Sequence, residues 1–549
     1  MMVQVPAFIT ARQRRYQAAP INRLPDEILI QIFSSFPLLP EDILGHRTSY
    51  AVLVSGICHR WRQLATQTGS LWSTIEFNRH ITTEGYRLPN YDGILDVARL
   101  YLRRSNDCGL RIIFGNIRHM PRELFTAAVD LVLSAFSRWE VLEIHGLYCQ
   151  EYQIQRVLSG FLDCCVRNPS QSLRLRSFHL ECVNQEIAEL ETIVLRVLAI
   201  APIRSLTLRS IKPNLPLSAV QSLTHLSLQR CMDTISITLM DLDTLLRQCT
   251  RLRSIKFEHV GIHDGSLPGI MSAKITLPHL EEMVLVQAVP NPIQTHIYQN
   301  VVAPSLQSFA MLVAETCASS DEAQELEYDA MVSFLSTTPS IRSFRHAHLP
   351  DPHLENALRA LPQLTTLAFG FSWHERRWTV TKATYAPPPL DVCPRLSEYQ
   401  INASEYGLIG LPEFIALKHF IEARSALPGV VPLRALTIKC DLRMLREDHG
   451  EKELALRQWF GTRVELVWEH VEVGLGAKKI SALADFSTKS KPREVGAHAR
   501  RSGPEDLRVT VVRVSFLCAE RHLRLAPPLH NLEDLKLNVM VKNGGSTID

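Results

Sequence analysis

The sequence predicts an α/β protein: three short helices near the N-terminus, then an irregular repeat solenoid whose strands form one curved parallel sheet. Three observations predict it. Amphipathic helical patterns fill residues 21–75, one short apolar phrase keeps returning beyond residue 130, and helical patterns lie between its copies. At 549 residues the chain exceeds what one compact core accommodates, so an elongated repeat unit fits the length.

The first helix follows from INRLPDEILIQIF, residues 21–33. Asn22 is a capping residue, Pro25 suits a first turn, and Asp26 and Glu27 sit at the positive end of the helix dipole. Leu24, Ile28 and Ile32 repeat every four residues, and Leu29 and Phe33 widen that stripe. Pro37 and Pro40 interrupt the chain, and PEDIL at 40–44 opens a second helix. A third is expected from Tyr50 to Thr66, with Leu53, Ile57, Trp61 and Leu64 on one stripe and Val54, Cys58 and Ala65 alongside. Three such helices make a small core. Their apolar surface completes its burial either on another protein or on the rest of the chain.

The ordered combination LPDEILIQIF, then VSGICHRWRQLA (54–65), then Leu71-Trp72 resembles the F-box. The resemblance covers residues 21–75. It implies that the module binds a Skp-type adaptor and, through it, the cullin of an SCF-type (cullin-RING) ubiquitin ligase. The matching positions, and so the implied adaptor-binding residues, are Leu24, Pro25, Ile28, Leu29, Ile32, Phe33, Val54, Cys58, Trp61, Leu64 and Trp72. Ala65 and Ile75 extend the match. The stretch 34–50 is longer and more proline-broken than the family pattern.

The phrase is apolar, two others, apolar, one other, apolar. It starts at Ile203, Leu223, Leu252, Leu280, Leu306, Leu364 and Leu396, with fainter copies from Leu175, Ile341, Leu433 and Leu532. From 203 to 364 six intervals average about 27 residues, inside the roughly 20–29 of leucine-rich repeats. Helical patterns at 186–199, 239–249, 329–337 and 353–361 supply the other half of each unit. The whole resembles the degenerate leucine-rich repeats of fungal-type F-box proteins. The family's asparagine or cysteine after each phrase is met by Cys231, whereas Ile211, Val260, Ala288 and Ala314 hold the other positions.

The expected organisation is a disordered leader (1–20), the F-box (21–75), a helical linker (76–130), the repeat solenoid (131–473), a flexible basic loop (474–508) and a C-terminal repeat or cap (509–549). Strand alternation then turns one set of side chains outward, along the concave sheet face. Among them Arg209, Gln229, Lys256, Glu258, Glu282, Arg345, Glu398 and Gln400 are the candidate target-binding residues. Val284 and Val286 share that face, and Arg209, Lys256 and Arg345 are the basic candidates for a phosphorylated target.

Composition bounds the rest. A net charge of +3, from 59 basic and 56 acidic residues, argues against a nucleic-acid or membrane partner held by bulk attraction. The 12 cysteines are scattered without CxxC or zinc-ligand spacing, which fits reduced thiols in the cytoplasm or nucleus. No metal site, cofactor or membrane span is expected. His346 and His348 alternate on one strand but face inward, so core packing or a slipped register is expected rather than a metal site. No phosphate loop, dinucleotide fingerprint, nucleophile elbow or HExxH occurs. The resemblance accordingly implies a non-catalytic ligase subunit that presents a protein target; the alternative is a scaffold that binds the adaptor without driving ubiquitination.

Overall fold

A computed structural model gives the architecture. It describes residues 20–470, except 36–49, 78–92, 371–386, 441–454 and a series of shorter loop stretches. The leader, the expected helix at 40–44, His348, the basic loop and the C-terminal cap fall outside the described residues. The chain divides into two compact units, one holding the N-terminal helices through Trp72 and one holding the sheet from Ser73 onward.

In the first unit α1 spans Asp26–Ser35, α2 Tyr50–Ile57 and α3 His59–Gln67. The single third helix expected from the sequence is thus two. Cys58 separates them: its backbone is extended, at φ −153° and ψ 171°, and its thiol accepts the Trp61 N–H as an N-cap. Leu29, Phe33, Val54, Trp61, Leu64 and Ala65 form the core, with Leu24, Ile32, Cys58 and Leu71 packed against it. Phe33 and Trp61 meet at 4.8 Å between ring centroids. Arg60 ties the start of α1 to α3 by pairing with Asp26 and donating to the Leu24 carbonyl at 2.7 Å.

The second unit is built on a parallel sheet of fourteen strands in sequential order. They are β1 Thr74–Phe77, β2 Leu110–Phe114, β3 Trp139–His145, β4 Ser177–Glu181, β5 Ser205–Arg209, β6 His225–Gln229, β7 Ser254–Glu258, β9 Glu282–Gln287, β11 Ser308–Val313, β12 Ser343–His346, β13 Thr366–Gly370, β14 Glu398–Asn402, β15 Ala435–Cys440 and β16 Glu465–His470. A separate pair joins β8 Ile275–Thr276 to β10 Val301–Val302. The stretch expected as a helical linker contributes β1 at its edge and β2 within it, beside helices Ile94–Arg104 and Arg122–Leu133, so it is not purely helical.

Each of the ten phrases within the described residues begins a strand at its third residue. Its first residue is buried in every copy, from Leu175 to Leu433. The carbonyl of its second residue accepts the N–H groups of the second and third residues of the next copy. This fork recurs nine times in succession from Arg176 to Ala435, at 2.7–3.2 Å. The loose apolar phrase therefore encodes a strict backbone register. After β5, β6 and β7 the chain turns through Ser210, Arg230 and His259, at φ 55°, 51° and 51°. Their spacings of 20 and 29 residues follow the repeat.

Inward rows run across the strands: Leu206, Leu226, Ile255, Met283, Phe309 and Phe344 pair in register. Helices cover this apolar face: Phe161 stacks on Trp139, Phe334 packs on Phe309, and Phe420 on Tyr399. His346 occupies an inward row position and is 1% exposed, packed between Phe344 and Phe369. Ile211 and Val260 are buried apolar residues where a polar ladder position would stand. Arg424, on the helix Leu411–Ala426, is fully buried and donates to the carbonyls of Cys393, Leu396 and Val431. No helix among the described residues is long and apolar enough to cross a membrane.

Candidate functional site

The residues expected to bind an adaptor divide sharply by exposure. Leu29, Phe33, Val54, Trp61, Leu64 and Trp72 are buried within the chain. In this chain they build the module's interior rather than its outer surface. Trp72 also spends its indole N–H on the Ala65 carbonyl at 2.6 Å. Pro25 and Ile28 are exposed, and Leu24, Ile32 and Cys58 are half-buried. Two exposed apolar residues of α2 were not among the adaptor-binding candidates, Val52 at 40% and Ile57 at 43%. Ile57 was assigned to the stripe of Trp61, and the break at Cys58 takes the two onto different helices.

The eight target-binding candidates lie at outward positions of the sheet. Arg209, Gln229 and Glu258 stand in one row, and Lys256, Arg345 and Gln400 in the next, with Val284, Ala310 and Ala368 between them. Glu282 and Glu398 share a third row. Arg345 and Glu282 are exposed, whereas Arg209, Gln229, Lys256, Glu398 and Gln400 are half-buried. Glu258 is buried, contrary to the expectation, between Gln229 and Val286 on the neighbouring strands, with the Lys256 ammonium 2.6 Å from its carboxylate. Burial alone would push the Glu258 carboxyl up; the hydrogen bond and charge of Lys256 outweigh it and hold the carboxyl below its ordinary value. Val286 is likewise buried, packed with Leu312 and Val284, so the face turns apolar at β9 and β11.

A titratable group at β3 and β4 was not foreseen. His145 lies between two carboxylates, its Nε2 3.7 Å from Glu143 and its Nδ1 3.6 Å from Glu181. Arg111 holds Glu143 at 2.6 Å and Arg209 holds Glu181 at 2.7 Å. Hydrogen bonding to Glu143 and then Glu181 raises the His145 pKa to about 9. Neighbouring His179 goes the other way, to about 4, through burial and the His145 charge. One signal lies in the sequence: Glu143 and His145 alternate on one strand, as do His179 and Glu181 on the next. Only the register, which sets Glu143 opposite His179 and His145 opposite Glu181, joins them.

With this geometry in hand, comparison with known families gives one assignment: the F-box-like domain matches residues 21–78. The chain thus carries an F-box-like domain at its N-terminus, followed by an α/β unit with a large parallel sheet. No curated protein matches the chain.

Proposed function

We propose that the protein is the substrate-recognition subunit of an SCF-type ubiquitin ligase. Its F-box-like segment docks a Skp-type adaptor and thereby a cullin, while the sheet unit, read as an irregular leucine-rich-repeat solenoid, presents its polar face to a protein target. The observation that carries this reading is the F-box-like match over residues 21–78. The nine-step register of the phrases supports the solenoid. No chemistry is asked of the chain; its contribution is a raised local concentration of target beside a conjugating enzyme. The cytosol or nucleus is the compartment where its free thiols stay reduced.

Exposed Ile28, Val52 and Ile57 are large apolar side chains with surface to give the adaptor, beside exposed Pro25 and half-buried Leu24, Ile32 and Cys58. The test is co-expression of the full chain with a Skp-type adaptor, beside an Ile28→Asp, Ile57→Asp variant. A stable one-to-one complex with wild type, lost in a variant of unchanged melting temperature, supports the reading. A folded wild type that never captures the adaptor overturns it.

A further inference from the structure

We propose that His145, His179 and Glu181 form a binding site for a divalent transition-metal ion, Zn²⁺ in particular, on the polar face of the sheet at β3 and β4. One ligand atom from each of these residues lies within 4.8 Å of the other two. Zinc bonds of about 2.0–2.2 Å place tetrahedral ligands about 3.4 Å apart, so a side-chain shift of about an ångström closes the set. His145 Nδ1 and Glu181 Oε2, at 3.6 Å, already have that spacing.

The surroundings supply the donors such a site needs, and the ion would displace the proton that His145 holds between Glu143 and Glu181. Two imidazoles and one carboxylate are a donor set for zinc, with a fourth position left to water or an incoming ligand. The ligands stand on paired strands rather than loops, so the backbone fixes their spacing. With Nδ1 directed at the ion, Nε2–H of His145 faces Glu143, which Arg111 holds in place. At 3.7 Å Glu143 is within a small side-chain shift of the carboxylate–histidine–metal arrangement, in which the outer carboxylate would set the tautomer. Glu181 is held through its other oxygen by Arg209, leaving Oε2 turned toward His145. The site is reachable, since the His145 side chain is 36% exposed. It stands independently of the ligase reading.

Zinc titration of the full chain against a chromophoric chelator tests it, after stripping and with thiols kept reduced. Wild type is expected to hold one equivalent that His145→Ala and His179→Ala both lose, while His419→Ala, on an exposed helical position, keeps it. Glu143→Gln leaves the ligands intact and weakens binding by about 10–100-fold, as loss of an orienting partner does. Cobalt substitution is expected to give tetrahedral ligand-field bands without a thiolate charge-transfer band. Melting curves guard against misfolding: Zn²⁺ raises the wild-type midpoint and leaves that of the folded His179→Ala variant unmoved. The same zinc stoichiometry and midpoint shift in wild type and both histidine variants would overturn the site, as would a cobalt spectrum dominated by thiolate.

Discussion

Trp61 and Ile57, four positions apart, are near-equivalent on a helical wheel and opposite in role. Trp61 is a core residue against Phe33, and Ile57 an exposed one. Trp61→Ala is therefore expected to cost about 3–5 kcal/mol of stability in the helical module, read by chemical denaturation. Loss of adaptor binding in that variant would report unfolding and not a missing contact. On the sheet, Lys256 and Glu258 show how pairing decides an outward residue's fate. The Glu258 carboxyl is depressed in the folded protein, so its stabilisation is present above the unfolded value of about 4.3 and is lost as pH falls through the folded pKa. In Lys256→Met the burial of Glu258 is no longer offset. Its carboxyl then rises and acid unfolding, followed by circular dichroism, moves to higher pH. An unchanged acid midpoint would mean that Arg209 and His259 carry the compensation instead. Strand alternation made the outward positions legible from sequence, but not which of them pair with a neighbour and are buried, as Glu258 is.

At the scale of elements, the apolar phrase was readable because its first, fourth and sixth residues are the ones burial requires. In the copy that carries β5 those are Ile203, Leu206 and Leu208. β3 contains the same spacing at Trp139, Leu142 and Ile144, but its strand starts two residues earlier relative to the phrase, beside a register shift at Leu110 and Arg111. Val141 within that run hides the pattern. The break at Cys58 was hidden for another reason: the apolar periodicity of 50–66 runs on past Gly56 with no proline, and a thiol supplies the cap. The forked backbone register makes a sharp prediction. Arg253 is an exposed second-position residue whose N–H donates to Thr224 and whose carbonyl accepts from Glu281 and Glu282. Arg253→Ala removes only a surface pairing with Glu281 and should change stability by no more than about 0.5 kcal/mol. Arg253→Pro deletes the N–H and should cost at least about 1–3 kcal/mol. Equal effects of the two in urea denaturation would show that the fork contributes nothing.

For the sheet unit as a whole, the sequential order of strands means that each one touches only the copies before and after it. β7 pairs with β6 and β9, and β11 with β9 and β12. Among the described residues no strand returns from a distant part of the chain to lock the array, in contrast to a closed barrel or a Greek key. Stability in such an array is close to a sum of local and nearest-neighbour contributions, and damage need not spread. Phe309 is the place to test this. It is fully buried on β11, and its ring contacts Tyr298, Phe334 and Phe344 from the flanking helices and the next strand. Phe309→Ala should cost about 3–5 kcal/mol locally. Hydrogen exchange should then show protection falling in β9, β11 and β12 while β4, β5 and β6 keep theirs, and thermal unfolding should broaden away from two-state behaviour. A uniform loss of protection from β2 to β15 would instead make the sheet one cooperative body, in which helix packing couples distant strands more strongly than the backbone order does.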